Sequence, residues 1–314
     1  MTRLLVLSPG DTREQLLLFP ALKALSGVVS QIDLVVQSAA KDVYQLCPSV
    51  HDTYVFNFSA RKGLADWSNL YGKIREKEYD AAITTTDSLP VRCLLWLLGI
   101  SPRIGVTGGT AEFLLSHAVP AQEHLPRVQA YSSLLSVLSP ELNQGTLAVK
   151  PSDKDLAWSQ STYEGLSLGD GSDCVILYDE SLESGYPQDN WESVVMGLRD
   201  RKPEIKLALL ETPQNQDWVA TLRDNLLGIA VIQAKSLSQA AAVIQPAQAL
   251  VSTDSSPLYL GVGTQTKTIG LFGSTKPDQL GADGDRLIGL RASSAQLKDI
   301  TPIQVIESLI ESEQ

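Results

Sequence analysis

Two short segments carry residue types that could do chemistry. The first, SPGDTRE, places Asp11 between a strand-like run and a helix-like stretch. The second, STDSSPLYLG, places Asp254 and Ser255 in the same kind of position. A carboxylate at the end of a strand can act as a general base toward a bound hydroxyl group. The N-terminus of a helix offers N–H groups to a phosphate.

Each segment also has a purely structural interpretation. Asp11 is a residue type that caps helices, and Glu14, three positions later, could complete a capping box. From the spacing alone, capping is the stronger interpretation of Asp11. In the second segment Pro257 suits the first turn of a helix, and capping and anion binding are equally favoured there.

The composition predicts a chain with a large core and excludes nucleic acid as a partner. Its 314 residues are 43% hydrophobic and only 19% charged, and a chain of this length is expected to form two domains of about 150 residues. The 36 acidic residues outnumber the 25 basic ones, giving a net charge of −11. No segment is dense in Lys and Arg, so the footprint needed to bind a phosphate backbone is missing.

Cysteine spacing and apolar runs indicate a cytoplasmic protein. Cys47, Cys93 and Cys174 are far apart and lack the spacing of a metal site or a disulfide framework. The apolar run CLLWLLGI is too short to span a bilayer. The N-terminal run is too short for a signal peptide and is interpreted as a first strand. Contact with a membrane is therefore expected only at its surface.

Strand-like runs rich in Val, Ile and Leu alternate with helix-like stretches in both halves of the chain. The runs are continuous rather than alternating, which is typical of parallel strands covered on both faces. They predict an α/β protein with two doubly wound sheets. The predicted strands are 3–8, 32–37, 53–58, 80–85 and 103–107 in the first half, and 174–179, 206–211, 229–233, 249–253 and 267–273 in the second.

The segment between the two sets of strands is helical in character. Ser152, after Pro151, has the position of a helix N-cap, and GDGSD (169–173) is interpreted as a linker. The predicted domains are therefore 1–168 and 169–314. We expect the carboxyl ends of both sheets to face a shared cleft, because ligands of such sheets bind there.

The order of these motifs resembles glycosyltransferase family 9, the ADP-heptose:lipopolysaccharide heptosyltransferases. SPGDTREQLLLFPALKAL is similar to that family's strand, Gly-Asp turn and Pro- and Leu-containing helix. The stretch from SLSQAAAVIQ to LFGSTKP follows its order of helix, strand, Asp-Thr-Gly-Pro-like turn, helix, strand and Phe-Gly-x-Thr-x-Pro. Intervening pieces such as EYDAAITTT and RIGVTGG fit in order, so the likeness covers nearly the whole chain.

The resemblance implies a GT-B architecture of two Rossmann-like domains facing a central cleft, and a metal-independent, inverting transfer that needs no cofactor. The donor, a nucleotide-sugar, would bind mainly the C-terminal domain. The acceptor, a lipopolysaccharide or other glycan or glycolipid, would bind mainly the N-terminal domain, at the cytoplasmic face of the inner membrane. Asp11 corresponds to the family's catalytic base. The predicted donor-binding residues are Gly10, Ser184, Asp254, Ser255, Ser256 and Tyr259.

The chain departs from the family pattern around the donor. Ser184 stands where the family usually has a lysine that could neutralise a diphosphate. Asp179, Glu180 and Glu183 belong to the same loop, and unpaired carboxylates there are expected to repel the donor.

Two further departures lie in the second segment, where Ser256 replaces a glycine and Tyr259 replaces a histidine. Two hypotheses follow. The chain is either an active inverting glycosyltransferase, or a catalytically silent homologue that keeps the fold and acts as a binding or assembly factor with a protein partner.

Overall fold

The computed structural model describes residues 2–58, 63–108, 111–122, 125, 127–139, 145–275, 277 and 286–310. The chain divides into two compact units, Met1–Leu147 and Ala148–Gln314. Each unit is built on a six-stranded sheet whose neighbouring strands all pair in parallel. The predicted α/β class with two doubly wound sheets is confirmed.

The first unit has the strand order β3-β2-β1-β4-β5-β6. Short 3₁₀ segments, Ser38–Leu46 and Glu112–Leu114, complete its described elements. Its strands are β1 (Arg3–Ser8), β2 (Gln31–Val36), β3 (Asp52–Val55), β4 (Ala81–Thr84), β5 (Arg103–Val106) and β6 (His117–Val119), and its helices are α1 (Thr12–Leu25), α2 (Leu64–Arg75), α3 (Leu89–Leu97) and α4 (Arg127–Leu135).

The second unit has the strand order β12-β11-β10-β7-β8-β9. Its strands are β7 (Cys174–Tyr178), β8 (Lys206–Glu211), β9 (Ala230–Gln233), β10 (Ala249–Thr253), β11 (Lys267–Phe272) and β12 (Leu287–Arg291). Its helices are α5 (Asp153–Gly165), α6 (Gln188–Arg201), α7 (Gln216–Asn225), α8 (Leu237–Ile244), α9 (Ser256–Gly263) and α10 (Pro302–Ile310).

Both sheets are wound in the same way, with the first strand of each unit in the centre. The winding direction reverses between β1 and β4 in the first unit and between β7 and β10 in the second. In open sheets of this kind, ligands bind beyond the carboxyl ends of the strands at such a switch point. Asp11 follows β1 and Asp254 follows β10, so both candidate carboxylates lie at switch points.

The sequence predicts ten of the twelve strands that the described residues contain and misses β6 and β12. β6 has three residues, too few to form a pattern. β12 is interrupted by Gly289, where an added Cβ would lie 2.6 Å from the ring of Pro277. Both are edge strands with mixed exposure, so neither has the continuous apolar run of a buried strand.

The helix α5 packs within the second unit. The Ser159 hydroxyl donates to the carbonyl of Ala242 (2.9 Å), and the Tyr163 hydroxyl donates to the carbonyl of Val243 (2.7 Å), both on α8. These contacts place the division between the units after Leu147, whereas the sequence placed it between residues 168 and 169.

The GDGSD segment, predicted as a linker, is a tight turn inside the second unit. Gly171 has a φ of +97°, and an added Cβ there would lie 3.0 Å from the carbonyl oxygen of Pro246. A glycine is required at this position by both its backbone conformation and its packing.

None of the helices in the described ranges is long and apolar enough to cross a membrane.

Candidate active site

The turn after β1 is held by one buried side chain, Gln15 of α1. Its Nε2 donates to the carbonyl oxygens of Ser8 (3.3 Å) and Gly10 (3.0 Å) and to the Ser8 hydroxyl (3.1 Å). Its Oε1 accepts from the hydroxyl of Tyr44. A buried amide that satisfies both of its ends in this way fixes the path of the backbone. Gln15 therefore positions the residue that follows the turn, Asp11.

Asp11 is the N-cap of α1. Its Oδ1 accepts from the backbone N–H of Glu14 at 3.0 Å, and its Oδ2 lies 3.1 Å from Nη2 of Arg13. The Asp11 side chain is 54% exposed. The capping interpretation is thus confirmed, and the cap leaves Oδ2 at the surface, where a carboxylate could also accept a proton.

The side chain of Glu14 pairs with Arg127 of α4 rather than completing a capping box. The position of the Glu14 side chain also explains why residue 10 is a glycine. An added Cβ at Gly10 would collide with the Glu14 carboxylate and lie 2.8 Å from the Glu14 Cβ. Tyr131, one turn after Arg127, is part of the same cluster. Burial raises the pKa of Tyr131 to about 12; the negative charges of Glu14 and Asp11 add to the rise, and the positive charge of Arg127 opposes it.

The loop after β4 meets the same turn. The hydroxyl of Thr85 donates to the hydroxyl of Ser8 at 3.1 Å. This bond joins the two loops that flank the switch point of the first unit. The site thus combines a partly exposed carboxylate with a turn that is held by hydrogen bonds, and such a carboxylate can take a proton from a bound hydroxyl group.

In the second unit, Asp254 lies between β10 and α9. The hydroxyl of Tyr259, one turn into α9, donates to Asp254 Oδ1 at 3.2 Å, and Tyr259 is itself almost fully buried. This contact orients the Asp254 carboxylate.

The two serines after Asp254 have different environments. Ser255 is the N-cap residue of α9, but its side chain makes no capping hydrogen bond. Its hydroxyl is fully buried and lies 2.9 Å from the hydroxyl of Ser252. Ser256 begins the helix and is only partly buried. Ser255 is therefore enclosed, whereas Ser256 is partly exposed at the first turn of α9.

Asp179, which follows β7, is a structural residue and not an unpaired carboxylate facing the donor. It is 1% exposed. One oxygen, Oδ2, accepts from the backbone N–H of Tyr186 (2.7 Å) and from Nε1 of Trp191 (3.0 Å). The other, Oδ1, accepts from the hydroxyl of Thr253 (3.0 Å) and, more weakly, from the N–H of Ser181 (3.4 Å).

The expectation that Asp179 is an unpaired carboxylate is therefore wrong, because donors enclose it, whereas repulsion of the donor by the exposed Glu180 and Glu183 stays a prediction. Burial raises its pKa, and the hydrogen bonds from Trp191, Tyr186 and Thr253 limit the rise. These bonds tie the loop after β7 to α6 and to the end of β10. We call this arrangement the Asp179 clamp.

The rest of the loop wraps around the clamp. Gly185 packs so closely that an added Cβ would lie 2.5 Å from both oxygens of Asp179. The N–H groups of Glu183 and Ser184 donate to the hydroxyl of Ser181, each at 3.2 Å. Ser184 and Glu183 are exposed. The loop 179–187 contains no lysine or arginine, so it offers no positive side chain to a diphosphate.

Two observations argue against other kinds of site among the described residues. Within the described ranges, no group of three His, Cys, Asp or Glu side chains is placed to hold a metal ion. A cavity of about 940 Å³ in the second unit, lined by Tyr163, Lys206 and Gln245 among others, lies near the amino ends of the strands. It is at the opposite edge of the sheet from Asp254, so the switch points remain the candidate site.

Sequence reasoning found Asp11 and the turn at Asp254 but missed the side chains that hold them. Gln15 left a signal, since it is a polar residue one turn before Phe19 on the same face of α1 as the apolar residues Phe19 and Leu22. The Arg127–Glu14 pair could not be found from a sequence pattern, because its two partners are on different helices, 113 positions apart.

Comparison with known proteins connects this geometry to a family. The model of glycosyltransferase family 9 (heptosyltransferase) matches residues 67–305. Lipopolysaccharide heptosyltransferase 1 of Escherichia coli O18:K1:H7 (strain RS218 / NMEC) is 24% identical over 232 residues, which cover 73% of this chain and 70% of that protein. The protein of the same name from Escherichia coli K12 is 23% identical over 240 residues, with 75% and 74% covered.

Solved structures share the fold over the whole chain. A glycosyl transferase family 9 protein from Veillonella parvula DSM 2008 has a TM-score of 0.88 at 16% identity, covering 99% of this chain and 98% of that one. The ADP-heptose lps heptosyltransferase II of E. coli has a TM-score of 0.80 at 18% identity, with both chains fully covered. The E. coli heptosyltransferase WaaC with ADP has a TM-score of 0.78 at 18% identity, with 99% and 100% covered.

Proposed function

Because this chain belongs to glycosyltransferase family 9 and has its GT-B fold, we propose that it is an active, inverting enzyme. It moves a heptose-type sugar from a nucleotide-sugar donor to a hydroxyl group of a lipopolysaccharide or other glycan acceptor. The observation that carries this proposal is the position of Asp11 and Asp254, each fixed by a neighbouring side chain or backbone group at a switch point.

In the proposed reaction, Asp11 acts as the general base. Its Oδ1 accepts from the N–H of Glu14, and its Oδ2, which pairs with Arg13 at the surface, takes the proton of the acceptor hydroxyl. The acceptor oxygen forms a bond to the anomeric carbon of the donor sugar, on the face opposite the leaving group. The bond between that carbon and the diphosphate oxygen breaks, and the nucleoside diphosphate leaves with the electron pair.

The donor is assigned to the turn around Asp254. A carboxylate cannot favour a diphosphate directly, because both are negative. We assign Asp254, oriented by Tyr259, to hydrogen bonds from hydroxyl groups of the donor sugar, and the first turn of α9, from Ser256, to the diphosphate. Gly10 and Ser184 complete the proposed donor contacts. A relative in this fold has been solved with ADP-2-deoxy-2-fluoro heptose, which supports an ADP-linked heptose as the donor to test first.

The proposal is tested by calorimetric titration of the purified protein with ADP, UDP, GDP and CDP and with their sugar conjugates. We expect saturable binding of one nucleotide, with the matching sugar conjugate binding more tightly. Asp254→Ala is expected to weaken binding of the sugar conjugate about tenfold and to change binding of the free nucleotide little. The matched control is Glu204→Ala, on the turn before β8 at the opposite edge of the same sheet, and it is expected to bind like the wild type.

Substitution of Ser184 distinguishes the active enzyme from the silent homologue. If the donor site works without the family's cation, Ser184→Lys is expected to tighten nucleoside diphosphate binding about tenfold, by adding a positive charge beside the phosphates. If neither the wild type nor Ser184→Lys binds any of the nucleotides at millimolar concentration, the enzyme proposal fails. The silent homologue with a protein partner is then the better account.

A further inference from the structure

The exposed face of α3 has the opposite polarity from that of an ordinary surface helix. Its one charged residue, Arg92, is fully buried, and the Arg92 Nη2 donates to the carbonyl of Val106 at 2.7 Å. A helix at a water-exposed surface normally turns its charges outward. The side chains that α3 leaves at least partly exposed are Leu89, Pro90, Cys93, Trp96 and Leu97.

A groove runs between α3 and α2. It has a volume of about 440 Å³, and its lining residues recur at positions i, i+3, i+4 and i+7 on each helix. Ser68 and Tyr71, both on α2, contribute the two hydroxyl groups among these residues. We call this feature the α2–α3 groove; it is lined by Leu64, Trp67, Ser68 and Tyr71 of α2 and by Pro90, Cys93, Leu94 and Leu97 of α3.

The apolar side chains around the groove protrude from the surface. Leu64 is 91% exposed, Leu97 60% and Trp96 54%. Several exposed apolar residues together mark an interaction surface, whereas single ones are normal. Protruding side chains suit a fluid apolar medium that can close around them. Trp and Tyr, both present here, are favoured at the boundary between lipid and water.

A cation stands at the end of the groove. Arg75 continues the groove-facing stripe of α2 by one turn, and its guanidinium carbon lies 5.7 Å from the ring centre of Tyr71. The Arg75 Nη1 also donates to the Tyr71 hydroxyl at 3.2 Å. A positive charge held beside an apolar groove is complementary to a molecule with an apolar chain and an anionic head.

We propose that the α2–α3 groove and the exposed face of α3 dock the protein on the surface of a bilayer that contains anionic lipids. Leu64, Trp96 and Leu97 enter the boundary between headgroups and acyl chains, and Arg75 contacts a lipid phosphate. Because the whole chain carries a net charge of −11, attraction to such a surface has to be local, and burial of apolar side chains supplies most of the binding.

This inference does not rest on the proposed function, because docking on a bilayer requires neither donor nor acceptor. It is tested by sedimenting the full-length protein with lipid vesicles, without nucleotide. One set of vesicles contains phosphatidylglycerol in phosphatidylcholine, and the other contains phosphatidylcholine alone. We expect the wild type to sediment with the anionic vesicles and several-fold less with the neutral ones.

Variants separate the two components of docking. The double variant Trp96→Gln/Leu97→Gln is expected to bind anionic vesicles about tenfold more weakly. Arg75→Gln is expected to remove the preference for anionic over neutral vesicles. The matched control is Met196→Gln/Leu227→Gln, which removes two still more exposed apolar side chains from the second unit and is expected to bind like the wild type. All these side chains are exposed or on the rim, and unchanged thermal unfolding confirms that each variant folds.

Two independent results would overturn the proposal, and a third would overturn it and also identify the occupant of the groove. The wild type could stay in solution with both kinds of vesicle, or the Trp96→Gln/Leu97→Gln variant could bind as well as the wild type. The third is a wild type that fails to bind vesicles but forms a concentration-dependent dimer, which the double variant abolishes in analytical ultracentrifugation. That result would make a second copy of the chain the occupant of the groove.

Discussion

At the scale of single residues, Asp11 joins two roles that spacing alone cannot separate. It caps α1 through Oδ1 and exposes Oδ2. The structure confirms the cap, and the base assignment stays a prediction. The two roles need different atoms, so they can be tested independently by choosing substitutions that keep one and remove the other.

We predict that Asp11→Asn and Asp11→Ser abolish sugar transfer but leave stability nearly unchanged, because both new residues are good N-caps without a basic carboxylate. Asp11→Ala is expected to abolish transfer and also to lower the free energy of unfolding by about 1 kcal/mol. Transfer is measured by release of the nucleoside diphosphate, and stability by urea unfolding. Turnover retained in Asp11→Asn would exclude the base assignment, and equal stability of Asp11→Ala would mean that the cap contributes little.

At this scale, residue types in the sequence predicted where a carboxylate lies in the fold, but they did not predict whether it is buried or exposed. The turns at Asp11 and Asp254 were recognised because a carboxylate between a strand and a helix is visible in the sequence. Asp179 has the same sequence setting, yet its carboxylate is buried under donors from Tyr186, Trp191 and Thr253. Thr253 is 74 positions from Asp179, so nothing local in the sequence distinguishes a buried clamp from an exposed acid.

At the scale of elements, the Asp179 clamp connects the ends of β7 and β10 to α6. Each of its two oxygens accepts at least one short hydrogen bond. Removing an acceptor that serves buried donors costs more than the net value of the bonds, because the donors stay buried without partners. The clamp is therefore expected to stabilise the second unit and to hold the loop that precedes α6.

We predict that Asp179→Ala lowers the free energy of unfolding of the second unit by about 2 to 4 kcal/mol, because the N–H of Tyr186 and the Nε1–H of Trp191 lose their acceptor. Asp179→Asn is expected to cost less, since its amide oxygen can serve those two donors and its NH₂ can donate to Thr253. Urea unfolding followed by tryptophan fluorescence measures both. The matched control, Glu180→Ala, removes an exposed carboxylate next to the clamp and is expected to change stability by less than about 0.5 kcal/mol.

The sign of the pH dependence follows from burial. The pKa of Asp179 is raised in the folded protein, so the folded state binds the proton more tightly than the unfolded chain. Its contribution to stability is complete below the unfolded pKa and is lost as the pH rises through the folded pKa. The cost of Asp179→Asn is therefore expected to be smaller near neutral pH than in mildly acidic buffer. A larger cost near neutral pH would contradict this.

Elements with a strong pattern were predicted well, and weak ones were missed. β1, β8 and β10 have the bounds that their apolar runs predict, because strands covered on both faces consist almost entirely of apolar residues. β6 and β12 lie at sheet edges, where half-exposed strands lose that pattern. A continuous apolar run therefore reveals a strand only where both faces of that strand are buried.

At the scale of the whole molecule, the position of α5 determines where the chain can be divided. Tyr163 of α5 is 1% exposed and bonds to α8, and it is also next to Cys174. Burial raises the pKa of the Cys174 thiol to about 12, so little of the reactive thiolate is present at neutral pH. Cys174 can therefore report whether the second unit is intact.

We predict that a fragment of residues 148–314 unfolds cooperatively and keeps Cys174 protected from a thiol reagent. A fragment of residues 169–314 lacks α5, and its Cys174 is expected to react at least about tenfold faster, because the covering helix is gone. Reaction rates with a chromogenic disulfide measure the difference. Equal rates in the two fragments would support the division between residues 168 and 169 that the sequence suggested.

The central position of the first strand in each sheet has a consequence for biosynthesis. β1 leaves the ribosome before either of its neighbours, and its second edge is covered only when β4 (Ala81–Thr84) has been made. At translation rates of roughly 5 to 20 residues per second, a nascent chain carries this unpaired edge of a largely apolar strand for about 4 to 15 s. One edge of β7 stays unpaired in the same way until β10 (Ala249–Thr253) has been made. Each unit thus presents a chaperone with a target during synthesis that the finished protein no longer has.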